Sequence, residues 1–148
     1  MKLGADVPAF LFGRSAFAEG VGEQLTAVEL PPAWYLVLTP PVCVSTATIF
    51  SDPDLTRDSS PIKITGFSAG PGRNDLEGVA CRHHRQVAEH LAWLRQHGPA
   101  AMTGSGACVF AAFDSEPAAL EVFHRRPREM QGFVARGLDR HPLFDWLG

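Results

Sequence analysis

The sequence holds only three cysteines, Cys43, Cys81 and Cys108, and they are too scattered to form a CxxC pair or a disulfide framework. That excludes a disulfide-stapled secreted scaffold and a zinc-ribbon site, and it suits a reducing, cytoplasmic compartment. No apolar run approaches the roughly 20 residues a membrane-spanning helix needs. Residues 1–20 lack the charged, apolar and small-residue zones of a signal peptide. Positive charge is not in excess either: 13 Lys and Arg stand against 16 Asp and Glu, a net charge of −3. Neither nucleic acid nor an anionic membrane is therefore an expected partner. There is no internal repeat and no low-complexity stretch.

What remains is a chain of 148 residues, 45% hydrophobic and 20% charged, enough for one domain and a fragment of another. It enters at once into Leu3-Gly4-Ala5-Asp6-Val7-Pro8, without a leader or a helix cap, which suggests a truncation or an internal start. Residues 11–28 read as a hairpin, with Phe12, Ala16 and Phe17 before the Gly20-Val21-Gly22-Glu23 turn and Leu25, Ala27 and Val28 after it. Pro31-Pro32 marks a boundary. Trp34 to Thr39 is a continuous run of β-formers, the mark of a central strand covered on both faces. Ser45 or Thr46 can cap a short helix ending near Phe50. Residues 51–73, dense in Asp, Ser, Pro and Gly, predict a long surface loop.

The strongest helical pattern runs from Asp75 to His97. Asn74 caps it, Glu77 completes a capping box, and Leu76, Val79, Ala80, Val87, Leu91 and Leu94 share one face. Gly98-Pro99 ends it. A strand from Ala100 to Thr103, the Gly104-Ser105-Gly106 turn and a strand from Ala107 to Phe113 follow. Ser115 and Pro117 open another helix that stops before Pro127, and residues 131–138 form a last strand. This order fits an α+β, two-layer sandwich, a mainly antiparallel sheet with helices on one face.

Few residues suggest chemistry. Asp6, in an apolar run, is either a carboxylate raised toward base strength in a cleft or a turn aspartate. The glycine turn either offers backbone N–H groups to an anion or is a tight hairpin needing positive φ. It is no Walker A loop, since no Gly-Lys-Ser/Thr follows. Phe50 can stack on a flat heterocycle or simply fill the core. His83, His90 and His97 recur every seven residues, about 10 Å apart along a helix, too far for one metal ion, and read as helix-surface residues. Arg125, Arg126 and Arg128 read as a solvated helix end.

Taken in order, Leu3–Pro8, Ala16-Phe17-Ala18-Glu19-Gly20-Val21-Gly22-Glu23, Thr46 with Ile49-Phe50, Asn74-Asp75-Leu76-Glu77 and Thr103–Phe110 resemble the C-terminal half of the 4-diphosphocytidyl-2-C-methyl-D-erythritol kinases. These are GHMP small-molecule kinases of the non-mevalonate isoprenoid pathway. The resemblance implies a ferredoxin-like GHMP C-terminal domain over residues 31–148, preceded by a remnant of the N-terminal domain over 1–30. It implies that Asp6 is catalytic, that Phe50 stacks on cytosine, and that Val21, Thr46 and Ala47 line the substrate pocket, although Ala47 replaces an expected proline. Gly104, Ser105 and Gly106 would border the cleft. ATP with Mg would be the co-substrate and a cytidyl-diphosphate sugar alcohol the acceptor. The family's glycine- and serine-rich ATP loop does not occur in these residues, so the chain is expected to be inactive alone, needing its missing N-terminal half or forming a homo-oligomer. A non-catalytic ligand-binding or self-associating module, or half of another GHMP kinase, are the alternatives.

Overall fold

The computed structural model describes residues 7–20, 22–60 and 72–143. They fall into two compact units: Met1–Pro32 with Gly137–Gly148, and Ala33–Arg136. The first break follows Pro31-Pro32, where two fixed φ angles and two missing N–H donors prevent regular structure. Residues 137–143 group with the first unit rather than with the sheet they follow. The segment around Arg140 bridges antiparallel to Arg14, with Ser15 N–H donating to Asp139 O and His141 N–H to Gly13 O.

In the first unit a short helix α1 (Val7–Phe12) precedes a hairpin of β1 (Ala16–Glu19) and β2 (Gln24–Ala27). The helix was not legible in the sequence. Pro8 suits its first turn, where a missing N–H costs nothing, but six residues give no usable periodicity. The hairpin forms but is shorter than expected, since Leu11 and Phe12 belong to the helix; it runs in register from Ala16 opposite Ala27 to Glu19 opposite Gln24. Phe10, Leu11, Leu138 and Leu143 of this unit are exposed.

The second unit runs β3 (Trp34–Leu38), α2 (Thr46–Ser51), α3 (Asp75–His83), α4 (Arg85–Leu94), β4 (Ala100–Met102), β5 (Val109–Phe113), α5 (Glu116–Arg125) and β6 (Gly132–Arg136). The sheet order is β4-β5-β3-β6, every pair antiparallel. Taking α2 to α4 as one crossover, this is the βαββαβ arrangement of a ferredoxin-like sandwich, the α+β class expected. Alternate strand residues supply one face of the core: Leu36 and Leu38 from β3, Val109 and Ala111 from β5, Ala100 and Met102 from β4. Val79, Ala80, Val87, Leu91 and Leu94 from α3 and α4 meet them. The opposite face of β3 is only half-buried, so the strand is central but not covered equally on both sides. There Tyr35 packs edge-on to Phe110 at 6.0 Å, and Phe133 is half-exposed.

Two features of the long helix differ from expectation. It is two helices, interrupted at His84, whose backbone is extended at φ −132°, ψ 95°. The apolar stripe continues in phase across the break, which is why periodicity alone reads it as one. Between Cys81 and Val87, however, the residues Arg-His-His-Arg-Gln offer no apolar side chain to bury, and histidine is a weak helix former, so packing does not hold this turn helical. Of the three histidines expected on a helix surface, His83 is exposed on α3, whereas His97 lies past the end of α4 and His90 does not fit the expectation. His90 is buried, its Nδ1 2.7 Å from Gln86 O and its Nε2 without a hydrogen-bond partner among the described residues. His83 binds Asp52, and His97 lies against Trp93, ring centroids 4.6 Å apart.

Candidate functional site

Among the expected site residues, Asp6 and Val21 lie outside the described residues. The others all belong to the second unit, on α2 and on the β4–β5 turn. Helix α2 is too short to be stable by itself, and each end is tied. Ser45 caps it, accepting from Thr48 N–H at 3.3 Å. Ile49 is fully buried and anchors it to the core, which leaves its neighbour Phe50 55% exposed. An exposed phenylalanine beside a fully buried isoleucine does not fill the core, which is one of the two roles the sequence allowed it. Ala47 is exposed on the same helix.

The turn is built by its glycines. Gly104 has φ 46° and Gly106 φ 103°, both in the left-handed region that disfavours a side chain. Gly106 N–H donates to Thr103 O at 2.8 Å, and Thr103 N–H to Cys108 O at 2.9 Å. A Cβ at Gly106 would also press on Met102 Sδ and on the Val44 side chain. Fifty-nine positions apart in sequence, Thr46 Oγ1 and Ser105 Oγ share a hydrogen bond of 3.0 Å. The fold therefore joins α2 to the glycine turn through two residues expected at the site.

The N-terminus of α3 holds the other side of the turn. Asn74 Oδ1 accepts from Leu76 N–H at 3.0 Å, the cap expected, while its Nδ2 donates to Met102 O at 3.0 Å and Gly104 O at 2.7 Å. Glu77 does not form the capping box. Its Oε2 accepts from Met102 N–H at 3.1 Å and its Oε1 binds Arg95 Nη2 at 2.6 Å. One short segment, Asn74 to Glu77, thus satisfies both the carbonyl and the amide of Met102. The motif was legible in the sequence; its target, 25 to 30 residues away, was not.

Together these pieces enclose an open groove of about 900 Å³, lined among others by Phe50, Leu55, Arg57, Arg73, Asn74, Thr103, Gly104 and Phe110. Two phenylalanines line it with two arginines, backbone of a positive-φ turn and a helix N-terminus. That combination suits a flat base carrying an anionic group. Arg73 is paired with Asp75 at 2.8 Å. Arg57 and Arg73 carried no sequence signal, since isolated arginines in a polar loop look like solvated charge.

The loop leaving α2 is tethered at Asp52. Its carboxylate faces His83 Nε2 at 2.6 Å and Arg82 Nη2 at 3.2 Å, and accepts from Asp54 N–H at 2.9 Å. The His83 hydrogen bond first, then the Asp54 amide, hold Asp52 below its ordinary value of 3.8, with the charges of Arg82 and His83 adding to them against the effect of burial. A depressed carboxylate contributes stability above the unfolded-state pKa that is lost as pH falls through the folded one. Acid unfolding followed by circular dichroism is therefore expected to steepen below about pH 4, and the Asp52→Asn variant to lose that component. An identical acid profile for the variant would count against the tether. Cys81, by contrast, is pushed up by burial and by the nearby Glu77 carboxylate, so its thiol stays protonated and unreactive at neutral pH.

Residues 65–131 match the family model described as GHMP kinases C terminal. The chain is 59% identical over 147 residues to the 4-diphosphocytidyl-2-C-methyl-D-erythritol kinase of Thiobacillus denitrificans, covering 99% of this chain and 53% of that protein. It is 60% identical over 148 residues to the kinase of the same name from Nitrosospira multiformis, covering 98% of this chain and 50% of the relative. A crystal structure of 4-(cytidine 5'-diphospho)-2C-methyl-D-erythritol kinase matches with a TM-score of 0.73 at 28% identity, over 91% of this chain and 54% of that one. The chain spans about half the length of the curated relatives it matches.

Proposed function

We infer that this chain corresponds to the C-terminal portion of a GHMP kinase, and we propose that the protein transfers the γ-phosphoryl group of ATP to the 2-hydroxyl of 4-diphosphocytidyl-2-C-methyl-D-erythritol. The reaction would belong to non-mevalonate isoprenoid precursor synthesis in the cytoplasm. The observation that carries this reading is the groove beside α2: an exposed Phe50 next to the glycine turn, joined to it by Thr46 and Ser105.

In this reading Phe50 presents its ring to cytosine, with Thr46, Ala47 and Val21 around the substrate. Gly104, Ser105 and Gly106 form the wall beside the diphosphate and the transferred group. Asp6 would accept or orient the proton of the attacking hydroxyl as its oxygen bonds to the γ-phosphorus and the bond to ADP breaks. Phosphoryl transfer of this kind depends on positioning and charge stabilisation more than on an early proton transfer. Mg²⁺ would arrive with the ATP phosphates and neutralise charge there. The domain division that goes with the reading gives residues 1–30 to the N-terminal kinase domain and 31–148 to the C-terminal one. These 148 residues contain no glycine- and serine-rich triphosphate loop, so turnover is expected only together with such a segment, supplied by the N-terminal half of the kinase in the same chain or in trans.

The test is steady-state kinetics of the complete kinase with Phe50→Ala. Base–aromatic stacking contributes about 1–3 kcal/mol, so KM for the cytidyl substrate should rise about tenfold with kcat changed much less and KM for ATP unchanged. An unaltered KM for the cytidyl substrate would remove Phe50 from the site.

A further inference from the structure

The exposed ring of Phe50 is useful only if its backbone is fixed, and α2 supplies few means of fixing it. A helix leaves its last carbonyls without intrahelical partners. Here Thr48 O accepts from the Ser51 hydroxyl at 3.1 Å and Ile49 O from Asp52 N–H at 3.3 Å. Phe50 O is taken by a side chain from outside the helix, the Arg57 guanidinium, whose Nη2 donates to it at 2.7 Å. The same Nη2 donates to Asp52 O at 3.1 Å and Nη1 to Leu55 O at 3.1 Å. One cation thus gathers three carbonyls of the chain leaving α2, at the helix end where positive charge is favoured. Leu55 is buried and Asp52 is bound to His83 and Arg82 of α3, so Arg57 ties Phe50 to anchored points.

We propose that Arg57 is a positioning residue for the nucleotide: it holds the Phe50 backbone so that the ring meets the base, and it acts through Phe50 rather than on the ligand's phosphates. The alternative role is set by the same groove, because Arg57 lines it and forms no ion pair among the described residues. Its engagement by three carbonyls favours positioning: a planar guanidinium with both terminal nitrogens committed has less left to offer an anion. The inference rests on the reading of the groove as a cytidine site.

The experiment is a double-mutant cycle on the chain with Arg57→Ala, Phe50→Ala and both, titrated by NMR into the millimolar range with uncharged cytidine and with cytidine 5'-diphosphate. Arg57→Ala should weaken both ligands equally, by roughly five- to tenfold, within the range found for directly coupled neighbours. In the Phe50→Ala background the same change should have little further effect. Arg57→Lys should not restore binding, since a single ammonium cannot span three carbonyls. A loss confined to the diphosphate, or one that simply multiplies with the Phe50 loss, would overturn the proposal in favour of direct phosphate contact. Phe50→Ala binding cytidine as well as the unaltered chain would overturn the groove reading and this inference with it. Far-ultraviolet circular dichroism and the thermal midpoint of each variant separate these results from misfolding.

Discussion

Gly132→Ala is expected to destabilise the second unit by about 3 kcal/mol, at the upper end of overpacking substitutions, and to lower its thermal midpoint by roughly 15 °C. Gly132 begins β6 opposite Leu38 of the central strand. A Cβ built there meets the Val37 carbonyl oxygen at well under van der Waals distance, and comes within 2.9 Å of Leu38 Cδ2 and 3.1 Å of Leu38 Cα. Two of these three obstacles are backbone of the strand that pairs with both β5 and β6. A side chain can turn aside; a central backbone can move only by giving up its ladder. The measurement is a urea or thermal melt followed by circular dichroism. Gly98→Ala is the control for added bulk, since a Cβ there meets nothing within 4 Å, although its φ of 155° carries some strain. Equal stability of Gly132→Ala and the unaltered protein would mean that β6 does not pair in this register.

Glu77→Ala is expected to cost about 3 kcal/mol, and its effect should reach the glycine turn. The carboxylate, 17% exposed, accepts from the Met102 amide and from Arg95. Met102 is buried at the edge of the sheet on β4, so its N–H has neither a strand nor water to replace the lost acceptor. Removing one partner leaves a buried donor unsatisfied, worth about 1–3 kcal/mol, and a charge-assisted bond is lost besides. Glu77→Gln, which retains an acceptor oxygen but not the charge, should recover about half. Hydrogen exchange would check the mechanism: the Met102 and Gly106 amides are expected to lose protection in Glu77→Ala before the β3 amides do. Uniform loss of protection across the sheet would point to global destabilisation alone.

Both results depend on contacts between segments far apart in sequence, and that is where reading the sequence and seeing the structure part company. Local rules located most elements. Ser45, Asn74 and Ser115 cap helices as their side chains predict, Pro31-Pro32 stands at the break between units, and the glycines of the β4–β5 turn sit at positive φ. The apolar stripe on α3 and α4 showed the buried face but hid the interruption at His84, because both helices keep the same phase. It also concealed His90, which occupies a stripe position normally taken by an apolar residue. The resemblance singled out Thr46, Phe50 and Ser105, yet no periodicity says that Thr46 and Ser105 touch.

By itself the sequence determined the α+β class, the strand and helix order of the second unit apart from the break at His84, its glycine turn and the kinase family it resembles, because each follows from side-chain period, capping chemistry or motif. Only the tertiary structure decided that Glu77 serves the Met102 amide instead of its own helix, that Arg57 secures the Phe50 carbonyl, and that Gly132 must lack a side chain. The reason is physical. A carboxylate or guanidinium binds whichever unsatisfied backbone group the fold brings within 3 Å, and chain topology, not sequence neighbourhood, selects that group.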